Sequence, residues 1–191
     1  MKGVNDIPVG MYRPHMDDIP IHQLPEGHSF RSFHSAEFEQ SDDTERWVAI
    51  QAAANATFMK ITMDTFQNDF GGLGKCLADR SWFVVSPEGK DIASITAWWR
   101  DTPNGPQGLI HWVAVLPECQ GRGIGKAIMT KAMLRLKDEY RNAYLNTSSA
   151  RLPAIKVYLD FGFLPDMEKD RAKEGWAEVR QHLKHPALGN A

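Results

Sequence analysis

This chain is poor in the features that would place it in a special class. It has only two cysteines, Cys76 and Cys119, so it carries no disulfide framework and no cysteine spacing for a metal. It has no apolar run long enough to span a membrane or to serve as a secretory leader. It has no dense basic stretch, and its net charge is −2, so no nucleic-acid footprint is expected. It has no internal repeat and no low-complexity segment. What remains is a 191-residue chain, 42% hydrophobic and 24% charged, which suits one ordinary core. The expected compartment is the cytoplasm. Base rates for small enzymes make a homodimer the default association.

Order along the chain is legible from periodicity and punctuation. Residues 1–28 hold Pro8, Pro14, Pro20 and Pro25 and read as an irregular arm, because proline removes backbone donors. Ser29 to His34 reads as a first strand. A helix follows from about Asp43 to Asn55, with Trp47, Ile50 and Ala54 at helical spacing. Met63 to Arg80 is helical but broken by Gly71, Gly72 and Gly74. Trp82–Val85 and Asp91–Arg100 are strands, and Asp101–Gly108, with two prolines and two glycines, reads as a hairpin loop. Leu109–Val115 returns as a strand, and a helix follows from Gly123 to Arg141 with a stripe of Ile124, Ile128, Ala132 and Leu136. Ala143–Asn146 is a buried strand. Pro153 suits the first turn of another helix, whose face carries Ala154, Val157, Tyr158 and Phe161. Gly162 ends that helix, Phe163-Leu164 opens a last strand, and Lys169 to His185 is a final amphipathic helix. The whole predicts a mixed α/β sheet: a main domain over 29–168, with 169–191 as a helical extension packed on it.

The densest signal lies in Val113–Lys126. A buried strand passes through a turn at Pro117-Glu118, meets Gly121, Gly123 and Gly125 within five residues, and enters a helix. A helix start leaves backbone N–H groups unpaired and carries partial positive charge, and glycine lets a bulky anion reach them. Two nucleotide patterns fail here. The dinucleotide fingerprint needs glycine where Lys126 stands, and the Walker loop needs glycine at Gln120 and Ser or Thr at Ala127. Gln120, Gly123 and Gly125 instead fit Gln-x-x-Gly-x-Gly/Ala.

That pattern resembles the acetyl-CoA loop of the GCN5-related N-acetyltransferases. The stretch Tyr144–Phe163, with a strand, a tyrosine-bearing helix and a Gly-Phe step, is similar to the second signature of that family. The resemblance implies an acyl-CoA N-acyltransferase fold with a mostly antiparallel central sheet flanked by helices. It implies acetyl-CoA as cosubstrate, no metal, and direct transfer of acetyl to a primary amine of a small molecule. It also implies that pantetheine would lie along Val113, Ala114 and Val115, with Asn146 and Ser149 nearby. The pyrophosphate would sit on Gln120, Gly121, Arg122, Gly123, Ile124, Gly125 and Lys126.

Tyr158 is the expected proton donor to the departing thiolate, against the simpler role of a core aromatic. His111, four residues before Val115 and on the same strand face by period-two alternation, is the candidate base, against a hydrogen-bonded sheet histidine. Ser149 is also the expected cap of the tyrosine helix. Adjacent Trp98 and Trp99 should point to opposite sheet faces, one into the core and the other toward an acceptor. Cys119 and Glu118 read as loop residues, and His182 and His185 are too isolated for a metal. A non-catalytic acyl-CoA-binding module and a protein or peptide N-acetyltransferase remain alternatives.

Overall fold

A computed structural model describes residues 4–34, 42–71 and 74–189. The strands are β1 (Pro8–Arg13), β2 (Ser29–Ser32), β3 (Ser81–Val85), β4 (Asp91–Thr102), β5 (Gly105–Val115), β6 (Ala143–Ser148) and β7 (Leu164–Asp166). The helices are α1 (Asp42–Asn55), α2 (Met63–Phe70), α3 (Gly74–Arg80), α4 (Ile124–Lys137), α5 (Leu152–Asp160) and α6 (Ala172–His182). The strand order is β2-β3-β4-β5-β6-β1-β7. The expected mixed, mostly antiparallel sheet with flanking helices is what forms. Among the described residues, no helix is long and apolar enough to cross a membrane.

The chain condenses into two compact units, and β4 and β5 run through both. One unit comprises Met1–Pro20, Trp99–Ile110 and Leu136–Ala191. The stretch expected to be an irregular arm contains β1, which pairs antiparallel with all of β6, from Pro8↔Ser148 to Arg13↔Ala143, and with β7 at Gly10↔Asp166 and Tyr12↔Leu164. The prolines do not prevent this, because Pro8 opens the strand and Pro14 follows its end. Val9 and Met11 are fully buried.

Tyr144 on β6 crosses over Gly10 to donate to Asp166 on β7 at 2.6 Å. Arg100 lies 3.5 Å from the centre of the Tyr144 ring. A side chain at Gly10 would occupy the space of the Tyr144 hydroxyl. The final helix, α6, packs on β1 through Gly175, where a Cβ would meet Val9 Cγ1 at 2.5 Å, and buries Trp176 and Val179. The expected loop over Asp101–Gly108 is mostly strand. Its turn is only Pro103-Asn104, closed by Thr102 Oγ1 donating to Gly105 O at 2.7 Å. β5 and β6 pair in parallel at Gly108↔Ala143 and Leu109↔Tyr144.

The second unit comprises Ile21–Trp98 and His111–Arg135. β2, β3 and β4 form an antiparallel ladder, from Ser29↔Val85 to Ser32↔Trp82 and from Ser81↔Thr96 to Val85↔Asp91. The glycine break divides α2 from α3 where expected. An aromatic core joins α1 and α2 to the strands. The Trp47 ring meets Phe66, Phe70 and Trp112 edge-on at 5.2, 5.8 and 5.1 Å. Arg31 holds the start of α1 and β4 together through Asp43 at 2.8 Å and Asp91 at 2.6 Å. In α4, Ile124, Ile128 and Ala132 are buried as the stripe predicts.

Candidate functional site

The glycine segment in the second unit is built as an open cradle. After β5, Leu116 N donates to Ile92 O at 2.9 Å, and Pro117–Cys119 make one 3₁₀ turn. Gln120 folds its side-chain amide back onto Val115 O at 3.0 Å, fixing the loop to the strand end. Gly121 and Gly123 take φ of +76° and +86°, the left-handed region that favours glycine. Helical bonding begins only with Lys126 N and Ala127 N, both donating to Gly123 O at 3.1 Å.

Among the described residues, the N–H groups of Gly121 through Gly125 have no backbone acceptor. A Cβ placed on Gly121, Gly123 or Gly125 would meet nothing within 4 Å. The cradle is therefore open space edged by unpaired donors at a helix start, which is the chemistry that holds a phosphate group. Arg122 is exposed at its rim and donates to Glu118 O at 3.2 Å. The Lys126 N–H donates to Gly123 O, so within the loop the N–H groups without a backbone acceptor are those of Gly121 to Gly125. Ile124 and Ala114 point into the core, and Val113 and Val115 are half-buried.

His111 and its surroundings lie in the same unit. Its Nε2 is 3.3 Å from Asp69 Oδ2, and the Phe70 and Trp112 rings sit beside the imidazole, each with centroids 5.6 Å away. The Trp112 indole N–H also donates to Asp69. The hydrogen bond from His111, and then that from Trp112, hold the Asp69 carboxyl below its usual range despite partial burial. Trp112 itself has φ +49°, a left-handed residue in mid-strand. Three contacts fix it: the bond to Asp69, its carbonyl accepting from Gln51 Nε2 at 2.7 Å, and its ring against Trp47. This irregularity breaks the period-two alternation, so His111 and Val115 are not placed on one face by parity, as the sequence reading assumed. Asp69 and Gln51 were missed because nothing local marks them. Trp98 is the buried member of its pair and packs edge-on against Phe70 at 5.3 Å.

In the first unit, Tyr158 lies on α5. The most buried face of that helix is Ile155, Tyr158 and Leu159, one step round from the expected Ala154–Val157 line. Tyr158 packs against Phe163 with centroids 6.4 Å apart, and its hydroxyl makes no hydrogen bond to a described residue. Burial pushes the phenol up to about 12, opposed by the charge of Arg151. Ser149 does not cap α5, whose N-cap is Arg151 without a side-chain bond. The Ser149 hydroxyl is fully buried and latches the N-terminal segment, accepting from Ile7 N at 2.9 Å and donating to Asn5 O. Asn146 is exposed and accepts from Lys169 Nζ at 2.5 Å.

Comparison with known proteins matches residues 30–163 to a family model described as the acetyltransferase (GNAT) family. A mycothiol acetyltransferase of Streptomyces bingchenggensis is 29% identical over 147 residues, covering 76% of this chain and 46% of the relative. One from Thermobispora bispora is 26% identical over 162 residues, covering 80% of this chain and 52% of the relative. The chain thus spans about half the length of the curated relatives it matches. Among solved structures, a GCN5-related N-acetyltransferase from Sphaerobacter thermophilus superposes with a TM-score of 0.64 at 18% identity, over 86% of this chain and 50% of that one. The ribosomal-protein-S18-alanine N-acetyltransferase of Escherichia coli gives 0.52 at 18% identity, over 71% and 76%. Both share the fold.

Proposed function

This chain belongs to the acetyltransferase (GNAT) family, and we propose that it moves an acetyl group from acetyl-CoA directly to the primary amine of a small molecule. The observation that carries this reading is the open cradle, where unpaired N–H groups from Gly121 to Gly125 front a helix start with room on every glycine. Those donors, with Arg122 at the rim, would hold the pyrophosphate, and backbone groups of Val113 and Val115 would hold the pantetheine arm. Acetyl-CoA, when bound, supplies a thioester with a thiol leaving group. His111 takes a proton from the acceptor ammonium, and Tyr158 gives one to the departing sulfur. The relatives' name, mycothiol acetyltransferase, puts mycothiol-related compounds first on the list of acceptors to test.

The test is thermal stability with acetyl-CoA or CoA, with ATP and NAD as controls, followed by an amine screen. At 100 times the dissociation constant a ligand adds about 2.7 kcal/mol, expected here as a rise of about 5–10 °C in Tm. No shift would sink the reading. A shift without transfer to any amine or peptide would leave a binding module instead.

Substituting the glycines separates backbone conformation from bulk. Gly123→Ala puts a side chain at φ +86°, at a cost of about 1–3 kcal/mol, and the loop relaxes away from the aligned amides. The Kd for acetyl-CoA rises by about tenfold or more. Gly125 has no positive φ and open space at its Cβ. Gly125→Ala keeps affinity within about threefold, since alanine also suits a helix better. Isothermal titration of both variants checks this, and equal losses would contradict it.

A further inference from the structure

Asp69 has a placement that folding alone does not account for. It lies in the last turn of α2, at the end of the helix where the peptide dipoles disfavour a carboxylate. Two donors from β5 converge on its Oδ2, the His111 ring at 3.3 Å and the Trp112 indole N–H. Yet neither member of the acid–imidazole pair is sealed in the core, with side chains 29% exposed at His111 and 33% at Asp69. The strand carries left-handed Trp112 next to His111, held by the tie to Asp69 and by Gln51. The result is an imidazole fixed at one nitrogen and reachable from solvent.

From this we infer that Asp69 is the positioning residue of His111: it keeps the imidazole proton on Nε2 and leaves Nδ1 as the atom that accepts a proton. The inference rests on the proposed amine acetylation for its meaning. In that reaction one N–H bond of the acceptor ammonium breaks and the proton moves to Nδ1. The amine keeps the electron pair with which it attacks. The imidazolium so formed lies against the Asp69 carboxylate, which offsets its charge until the proton passes to water. Trp112 completes the arrangement by occupying the same carboxylate oxygen and preventing Asp69 from turning away.

The experiment combines ¹⁵N NMR of the histidine ring with kinetics on Asp69→Asn, Asp69→Ala and His111→Ala. In the wild-type protein the neutral His111 ring is expected with its proton on Nε2, and Asp69→Ala is expected to give a mixture of tautomers. A proton on Nδ1 in the wild type, or an unchanged ring in Asp69→Ala, overturns the inference. Asp69→Asn keeps the size and an acceptor for Trp112 but loses the charge. It is expected to lower kcat by about 10- to 100-fold while leaving the acetyl-CoA melting shift intact. In the His111→Ala background the same change is expected to have little further effect, because the two act as a unit. An equal loss in both backgrounds would mean that Asp69 is merely structural and overturns the inference. A wild-type protein that acetylates no amine defeats the proposed function, while the ring tautomer still decides the role of Asp69.

Discussion

Replacing Tyr158 with phenylalanine is expected to lower kcat by about 100-fold or more while acetyl-CoA binds as before. The substitution removes one oxygen. The ring stays packed on Phe163, and its hydroxyl has no partner among the described residues to lose. Burial pushes that hydroxyl up to about 12, so it is protonated throughout the neutral range. In the proposed transfer, the departing thiolate, whose acid has an ordinary pKa of about 8.5, would meet this protonated phenol. Steady-state kinetics with an amine acceptor, alongside the acetyl-CoA melting shift, make the check, and an unchanged kcat would return Tyr158 to the core.

The same buried phenol has a consequence for stability. Its folded value lies above the usual 10, so the fold favours the protonated form. The stability this gives is complete below about pH 10 and is lost as pH rises toward 12. Tyr158→Phe removes this loss, so urea midpoints at pH 9 and pH 11 should differ less in the variant than in the wild type. Tyr144 is also raised to about 12, by burial and then by its bond to Asp166, so part of the alkaline loss persists.

Gly10→Ala is expected to destabilise the protein by about 2–4 kcal/mol, a fall in Tm of about 5–15 °C. An added Cβ would overlap the Tyr144 hydroxyl, with Tyr144 Cζ at 2.9 Å and Asp166 Oδ2 at 3.1 Å. The ring is rigid and Arg100 sits on it, so relief requires the Tyr144–Asp166 bond to break. A hydrogen bond to a charged acceptor is worth about 1.5–3 kcal/mol, which accounts for much of the loss. Tyr144→Phe in the Gly10→Ala background removes the nearest clashing atom and should recover part of the stability. A Gly10→Ala protein within 0.5 kcal/mol of wild type, about the range of a neutral surface change, would show that β1 tolerates bulk there.

How much of this was legible in the sequence depended on distance along the chain. The cradle was, because strand end, turn, glycines and helix start are neighbours and each follows from local backbone preference. Helix α5 was found by its proline and its apolar spacing, although its buried face is one step round from the expected line. The family match reaches back to residue 30, whereas the motifs read from sequence covered only the second half of the chain.

By itself, then, the sequence determined the order of strands and helices from β2 onward, the glycine loop with its unpaired donors, and Tyr158 on the apolar face of its helix. Tertiary structure alone decided that a proline-flanked segment becomes β1, that Ser149 latches the N-terminal segment, and that Asp69 meets His111 across a left-handed Trp112. The reason is physical. Backbone conformation and helix-start chemistry are set by a few adjacent residues. A pairing between α2 and β5, or between β1 and β6, exists only once the intervening chain has folded, and a lone Asp, Ser or Gly carries no local mark of the partner it will find.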